Sequence, residues 1–319
     1  MKRTPQLLLT LALVIAPLPA AHAVTKPIPV LALPTATDPH LSPSDDIAGL
    51  ITTPNSAYFV GTLETSTTTL VSQPTLGGAS DGYISSLSWS GSINWSMRLG
   101  GAGDDIATAV TTDLAGNIWV VGASNIPAAT PTPFPTPTNI FNPGHIAITP
   151  VSPPTSGLRR LMVWELSPSG AIKASYSNDF LNAIEPATIT VTGKGVLISG
   201  AANDPAGPNF QVTMSTIGKF SRAKFLTAPT VKASAITFIK GTSYIWQSYK
   251  TDRSIPGIVG FKPLTATSVL IRSSAKTGKI ADLYTLAGDL AFAHYEKGVG
   301  IVLVTLGESG YGINFIKTL

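Results

Sequence analysis

Two pairs of neighbouring aspartates, Asp45-Asp46 and Asp104-Asp105, head nearly the same phrase. The first copy reads SPSDDIAGLITTPNSAYFVGTLE from Ser42 to Glu64, and the second reads GGAGDDIATAVTTDLAGNIWVVGAS from Gly100 to Ser124. Paired carboxylates suit three tasks. They can ligate Ca²⁺, which takes about six to eight oxygens from several carboxylates and carbonyls. They can act as acid and base on a glycosidic bond when a second carboxylate stands at a defined separation. They can cap the turns from which strands start. No D-x-D-x-D-G loop accompanies either pair. No cofactor is therefore expected, and Ca²⁺ is the one ion left to weigh.

Other site chemistry is poorly provided for. Beyond the first 23 residues the histidines are His40, His145 and His294. The first two fall in Pro-rich stretches, and His294 sits in the strand-like LAFAHYEK as a packed or edge residue. There is no G-x-S-x-G nucleophile elbow and no GxxxxGK[ST] phosphate loop. The tryptophans Trp89, Trp95, Trp119, Trp164 and Trp246 could stack on sugars. Trp119 and Trp164 fit the apolar pattern of strands. Trp89, two residues before a turn glycine, is the best candidate for an exposed aromatic.

The elements that must position these groups repeat along the chain. Alternating apolar strands stand at matching offsets before a turn glycine: Tyr83, Ser85 and Leu87 before Gly91; Met162, Trp164 and Leu166 before Gly170; Phe210, Val212 and Met214 before Gly218; Val302, Val304 and Leu306 before Gly310. Period two followed by glycine is the mark of a strand entering a hairpin. A weaker copy at Ile258 to Ile271 has LTATS in place of the glycine. A second, Ala/Thr-rich strand recurs at 47–52, 106–111, 186–191, 233–238 and, degenerately, 280–287. Five copies of each half predict an all-β chain, a β-propeller most simply of five four-stranded blades, with six or seven blades and degenerate units as the alternative. The N-terminal copy starts with one half and the C-terminal copy ends with the other. One blade is therefore expected to be built from both ends in an interlocking closure.

Aligning the units places Asp46, Asp105, Glu185, Lys232 and Lys279 at equivalent strand entries, with Asp282 as a competing choice for the last. In a propeller these would ring one mouth of the central channel. Two readings stay open: a ligand, sugar or cation site using Asp46, Asp105, Glu185, Lys232 and Trp89, or simple capping of strand-entry turns.

The stretch LGGAGDDIATAVTTDLAGNIWVVGAS, Leu99 to Ser124, resembles the SBBP (beta-propeller) repeat family, whose units run G-G-x-G-D-D, D-x-x-G-N, then aromatic-V-x-G. The full motif occurs once; the copy at 42–64 is partial, and later copies keep only hydrophobic spacing. The resemblance implies a propeller blade. It implies no activity.

The remaining composition bounds location and partners. The chain has 319 residues and no cysteine, so no disulfide framework holds it. Residues 1–23, with Lys2, Arg3, an apolar run at 7–15 and Ala21-His22-Ala23, read as a secretory signal peptide. Residues 24–44 carry five prolines and read as a linker; 45–319 form a single domain; 125–158 carry nine prolines and read as a surface insertion. Charged residues are only 12 % of the chain, against about 25 % on average. No Lys/Arg cluster exceeds a pair, so nucleic acid is not an expected partner. No membrane span is expected after signal cleavage. These features lead to a secreted or envelope-associated monomer that binds protein or carbohydrate without catalysis. A glycoside hydrolase or lyase using the channel-mouth acids, and a purely structural envelope protein, are the alternatives.

Overall fold

Runs of alternating residues closed by tight turns favour strands that pair with their immediate neighbours. A computed structural model of the protein describes residues 30–31, 33–64, 68–125, 157–227, 236–237, 244–250, 268–274 and 276–317. Among these residues are twenty strands and no helix. A short first strand, β1 (Val30–Leu31), precedes five sheets. The first sheet holds β2 (Gly49–Thr52), β3 (Ser56–Leu63), β4 (Asp81–Ser88) and β5 (Ile93–Leu99). The second holds β6 (Asp105–Thr112), β7 (Ile118–Ser124), β8 (Arg160–Leu166) and β9 (Ile172–Asp179). The third holds β10 (Ile184–Thr192), β11 (Gly195–Asp204), β12 (Gly207–Ser215) and β13 (Lys224–Leu226). The fourth holds β14 (Ile236–Thr237), β15 (Tyr244–Lys250), β16 (Ser268–Ser274) and β17 (Ile280–Leu286). The fifth holds β18 (Asp289–Glu296), β19 (Gly300–Gly307) and β20 (Gly310–Lys317).

Apart from β1, which joins the fourth sheet parallel to β17, each sheet is an antiparallel meander in chain order, and first strands lie side by side: β18 by β2, β2 by β6, β6 by β10. Apolar side chains fill the spaces between sheets. Ile51, Val60 and Ile84 of the first sheet meet Val110, Ile118 and Leu166 of the second. Val121, Val163 and Trp119 of the second meet Ile189, Ile198 and Phe210 of the third. Leu50, Phe59 and Leu87 of the first meet Val302, Val304 and Ile313 of the fifth, and Ile301 and Leu303 of the fifth meet Leu270 and Leu286 of the fourth. A sheet between two others is buried on both faces, so β4 is buried along nearly its whole length, serines included. Fully burying one such aliphatic or aromatic side chain contributes about 1.5–3 kcal/mol.

The unit boundaries differ from the sequence pattern at the C-terminal end. Residues 280–286 are β17, the last strand of the fourth meander, paired with β16 on one side and β1 on the other, not the first strand of a new unit. The first strand of the fifth sheet is β18, and the Val302-Val304-Leu306 row lies on its second strand, β19. Period two marks any strand and does not rank it within a sheet. The two chain ends also meet through other residues than expected. Residues 49–63 pair with β4 within the first sheet, whereas Thr37 forms an antiparallel bridge with Ile313 on β20. The described part of the N-terminal segment is fastened along the fourth and fifth sheets. β1 runs parallel to β17, Asn314 Nδ2 donates to the Pro34 carbonyl at 2.7 Å, and Leu33 packs with Leu270, Leu286 and Ile301. The insertion joins β7 to β8, two strands of one sheet; its residues 126–156, the leader at 1–23 and the LTATS copy up to residue 267 lie outside the described residues.

Candidate functional site

The repeated Val-Gly phrase marks a place where two backbones nearly touch. In β6 the register jumps between Ala107 and Ala109, so Thr108 is an extra residue facing Val121, and Ala107 sits opposite Gly122. A Cβ on Gly122 would lie 1.8 Å from the Ile106 carbonyl oxygen. The same bulge recurs between Pro186 and Thr188, opposite Gly200. In the first sheet the Ala48 amide donates to Val60, the residue that Gly49 also faces, and a Cβ on Gly61 would meet the Asp46 carbonyl at 2.1 Å. Glycine in a strand at a bulge is the residue that permits this approach.

The bulge shifts the equivalence of the acids by one residue. The Asp46 amide donates to the Thr62 carbonyl, which sets Asp46 opposite Thr62 and Asp45 opposite Leu63. Asp105 faces Ser124 and Ile106 faces Ala123. Asp105 therefore matches Asp45, and Asp46 matches Ile106 and, through the third-sheet register, Glu185. Burial agrees: Asp45 is 4 % exposed and Asp105 is 1 % exposed, whereas Asp46 and Glu185 are only part-buried. Asp45 accepts the Ser42 and Glu64 amides, each at 2.8 Å, and Asp105 accepts the Gly101 amide at 2.7 Å. These two carboxylates are turn caps. Burial holds the Asp105 carboxyl above its ordinary range, against the Gly101 and Ser124 hydrogen bonds.

Asp46 is the most perturbed of the described carboxyls. Its Oδ1 accepts the Thr62 amide at 2.5 Å, yet burial pushes its pKa from 3.8 up to about 6, helped by the charges of Glu64 and Asp45. Its backbone carbonyl accepts the Tyr83 hydroxyl at 2.9 Å. Tyr311, from the far end of the chain, packs by Ile47, whose amide hydrogen-bonds its hydroxyl, and feels the Asp46 charge. In the fifth sheet the register places Asp289 where Asp46 and Glu185 stand, and Asp289 Oδ1 accepts the Ser268 hydroxyl at 2.9 Å. The entry end thus carries Asp46, just ahead of β2, and Glu185 and Asp289, on β10 and β18, at matching positions.

The other expected members are elsewhere. Lys232 lies outside the described residues. Lys279 immediately precedes β17, the last strand of the fourth meander and not a first strand, and Asp282, further along it, is ion-paired with Arg272. Trp89 follows the last residue of β4, so it stands at the exit end, roughly 25 Å along the strand from the Asp81 end at about 3.4 Å per residue. Its Nε1 donates to the Thr53 carbonyl at 3.0 Å, and its ring meets Phe315 edge-on at 5.9 Å. Trp89 is a packing residue between the first and fifth sheets. Trp119 and Trp164 are buried between sheets, as their pattern predicts.

The rest of the repeat motif is also spent on structure. Asp113 of the D-x-x-G-N turn is 8 % exposed and accepts four donors: the Ala115 and Asn117 amides at 2.9 Å each, Asn117 Nδ2 at 2.8 Å and Trp119 Nε1 at 3.1 Å. Asp104 Oδ1 accepts the Ala79 amide at 2.6 Å, tying the two glycine loops together. Arg98 and Asp81 form a buried ion pair at 2.7 Å between the same loops. Among the described residues no group of three or more His, Asp or Glu is placed to hold a metal ion, and no helix is long and apolar enough to cross a membrane.

One polar cluster was hidden from the sequence. At the exit end the Thr52 hydroxyl lies 2.6 Å from His294 Nδ1 and 3.3 Å from Glu296 Oε2. His294 and Glu296 are two residues apart on β18, so they share the face turned to β2. Burial holds the Glu296 carboxyl above its ordinary range, partly offset by the Thr52 hydrogen bond. The only sequence signal was the alternation of His294 with Glu296; their partner is 242 residues away.

No family model matches the chain, and no curated protein matches it. Solved structures that it resembles include a subtype N10 neuraminidase-like protein of a strain from the little yellow-shouldered bat, at 12 % identity over 88 % of this chain and 96 % of that one, TM-score 0.32. The AfRom2 CNH domain aligns at 10 % identity over 88 % of this chain and 97 % of that one, TM-score 0.30. A subtype N11 neuraminidase-like protein of a strain from the flat-faced bat aligns at 10 % identity over 93 % and 92 %, TM-score 0.31. Scores this low carry no argument about fold or activity.

Proposed function

We propose that the protein is an exported five-bladed β-propeller, closed by its N-terminal segment, that serves as an extracellular binding or scaffold module. The propeller reading is supported by five meander sheets in chain order whose first strands lie side by side, and by the resemblance of 99–124 to an SBBP unit. Export is supported by the leader-like residues 1–23. The binding reading is carried by one observation: Asp46 and Glu185 occupy matching, part-buried positions where first strands begin, at the entry end. Recognition groups on the rims of a rigid scaffold are the usual form of a binding face.

The test is the melting temperature against neutral and charged oligosaccharides, peptides and Ca²⁺. A ligand of the folded state at a hundred times its Kd adds about 2.7 kcal/mol. A shift for one ligand class that Asp46→Asn removes supports the entry end as the site. No shift with any ligand removes the binding reading and leaves a structural envelope protein.

A second reading, a glycoside hydrolase or lyase, draws on the Asp46 carboxyl near pKa 6, the state a general acid needs. It predicts sugar-releasing activity that Asp46→Asn abolishes without lowering the melting temperature.

A further inference from the structure

We propose that the N-terminal arm, up to Pro39, is exchanged between two copies of this chain, so that the edges of β17 and β20 are docking sites for the arm of a second copy; this rests on the closure by the N-terminal segment proposed above. The fifth sheet has three strands of its own, where each of the first three has four. The outer side of β20 is met instead by Thr37, through two backbone hydrogen bonds with Ile313 of 2.7 and 3.0 Å. On the neighbouring sheet Val30 and Leu31 pair with Leu283 and Tyr284 of β17. A strand edge offers unpaired N–H and C=O groups that any extended segment can meet.

The arm is held at separate points. Besides the two backbone pairings, the Pro34 carbonyl accepts Asn314 Nδ2 at 2.7 Å, Leu33 packs with Leu270, Leu286 and Ile301, Ala36 stands over Gly312, and Thr37 lies against Gly91 of the β4–β5 turn. Each of these partners is recreated when the arm comes from another copy. Past Pro39 the chain belongs to the first sheet: the His40 carbonyl accepts the Thr68 hydroxyl at 3.2 Å, and Leu41 packs with Leu63, Leu70, Val71 and Tyr83.

The turn between arm and body is strained. His40 has φ 59°, and among the described residues it is the one non-glycine residue in the left-handed region. An L residue with a Cβ is held there at a cost. Asp38 keeps the turn closed, its Oδ1 accepting the His40 amide at 2.7 Å, and both side chains are exposed. The closed monomer and the exchanged dimer make the same arm contacts, so their balance is set by this turn and by concentration. Linkage to its own body favours the arm folding back when the protein is dilute. Extending His40 releases the strain in both copies at once, and short hinges under strain are where elements exchange.

A disulfide reads out the arm's partner, because the chain has no other cysteine. A Cβ on Gly312 would lie 3.3 Å from the Ala36 Cβ, close to the separation of about 3.8 Å that a disulfide takes. Ala36→Cys with Gly312→Cys is refolded at low and at high protein concentration, oxidised and run on a denaturing gel without reductant. Unmodified protein refolded in parallel is followed by sedimentation. The expected result is covalent monomers at low concentration and covalent dimers at high concentration, with dimers of the unmodified protein at high concentration. Adding His40→Gly, which makes the left-handed turn free of strain, should weaken dimerisation about tenfold or more. Adding Asp38→Ala, which unclips the turn, should strengthen it. Disulfides within single chains at every concentration, or unmodified protein that stays monomeric, overturn the exchange and leave the closure standing. No disulfide at all in folded protein overturns the closure as well. Dimers that form equally with His40→Gly overturn the proposal too, since the exchange would then owe nothing to the strained turn.

Discussion

Thr37 and Ile313 exchange two backbone hydrogen bonds, 2.7 and 3.0 Å long, across nearly the full length of the chain. The contact gives β20 a partner on its outer side and fastens the N-terminal segment over the edge of the fifth sheet.

Thr37→Pro removes the amide that donates to Ile313 and is expected to destabilise the protein by about 1–3 kcal/mol, the cost of leaving a buried acceptor unmet. Thermal denaturation measures it. Thr37→Val keeps the amide and should melt close to the parent; a Val variant as weak as the Pro variant would show that the Thr37 side chain, set against Gly91, matters more than the backbone bridge.

Asp46 gives a pH dependence with a defined sign. Its pKa is about 6 in the folded protein and near 3.8 when exposed, so the unfolded chain ionises first. The stabilisation is complete below pH 3.8 and is lost as pH rises through about 6. Asp105, raised by burial, and Glu296, raised in the same way, act in the same direction. Melting temperature should therefore climb on acidification from neutrality, and Asp46→Asn should flatten that climb. An Asn variant with the parent's slope would place the titration on another group.

Asp113→Ala strands four donors at once, two of them backbone amides and one the Trp119 indole. A loss of about 3–5 kcal/mol is expected, the range for removing one partner from a buried charged network. Asp104→Ala, whose hydrogen bonds are largely exposed, should cost under about 1 kcal/mol. Denaturant midpoints of the two variants separate the cases.

Gly122→Ala places a methyl 1.8 Å from the Ile106 oxygen, so the β6 bulge must open and the variant should fail to fold or lose several kcal/mol, about 3 or more. Gly101→Ala, with nothing within 4 Å of the new methyl, should be tolerated. Soluble yield and circular dichroism report the difference.

The strand unit was legible because its signals are local: period two, a turn glycine, an Ala/Thr-rich partner. The turn-capping reading of the aspartate pairs was legible for the same reason. The alignment of the acids was not, because Ala48 and Thr108 are bulge residues and the identical letters Asp-Asp-Ile-Ala fall one register apart in the two sheets. Residues 280–286 resembled a first strand because small and apolar residues alternate there, yet nothing within seven residues reports which neighbour a strand will choose. The Thr52–His294 and Trp95–Pro168 contacts arise only when separate sheets are brought together.

The segment that fastens β20 is made first and needed last. Asn314 holds the Pro34 carbonyl across 280 residues of sequence, so this contact can form only after almost all of the chain has left the ribosome. Contacts of such separation form slowly, because a long loop must close before they give any return. The meander sheets, built from consecutive strands, can form before it, and the closing contact is the last part of the fold to set.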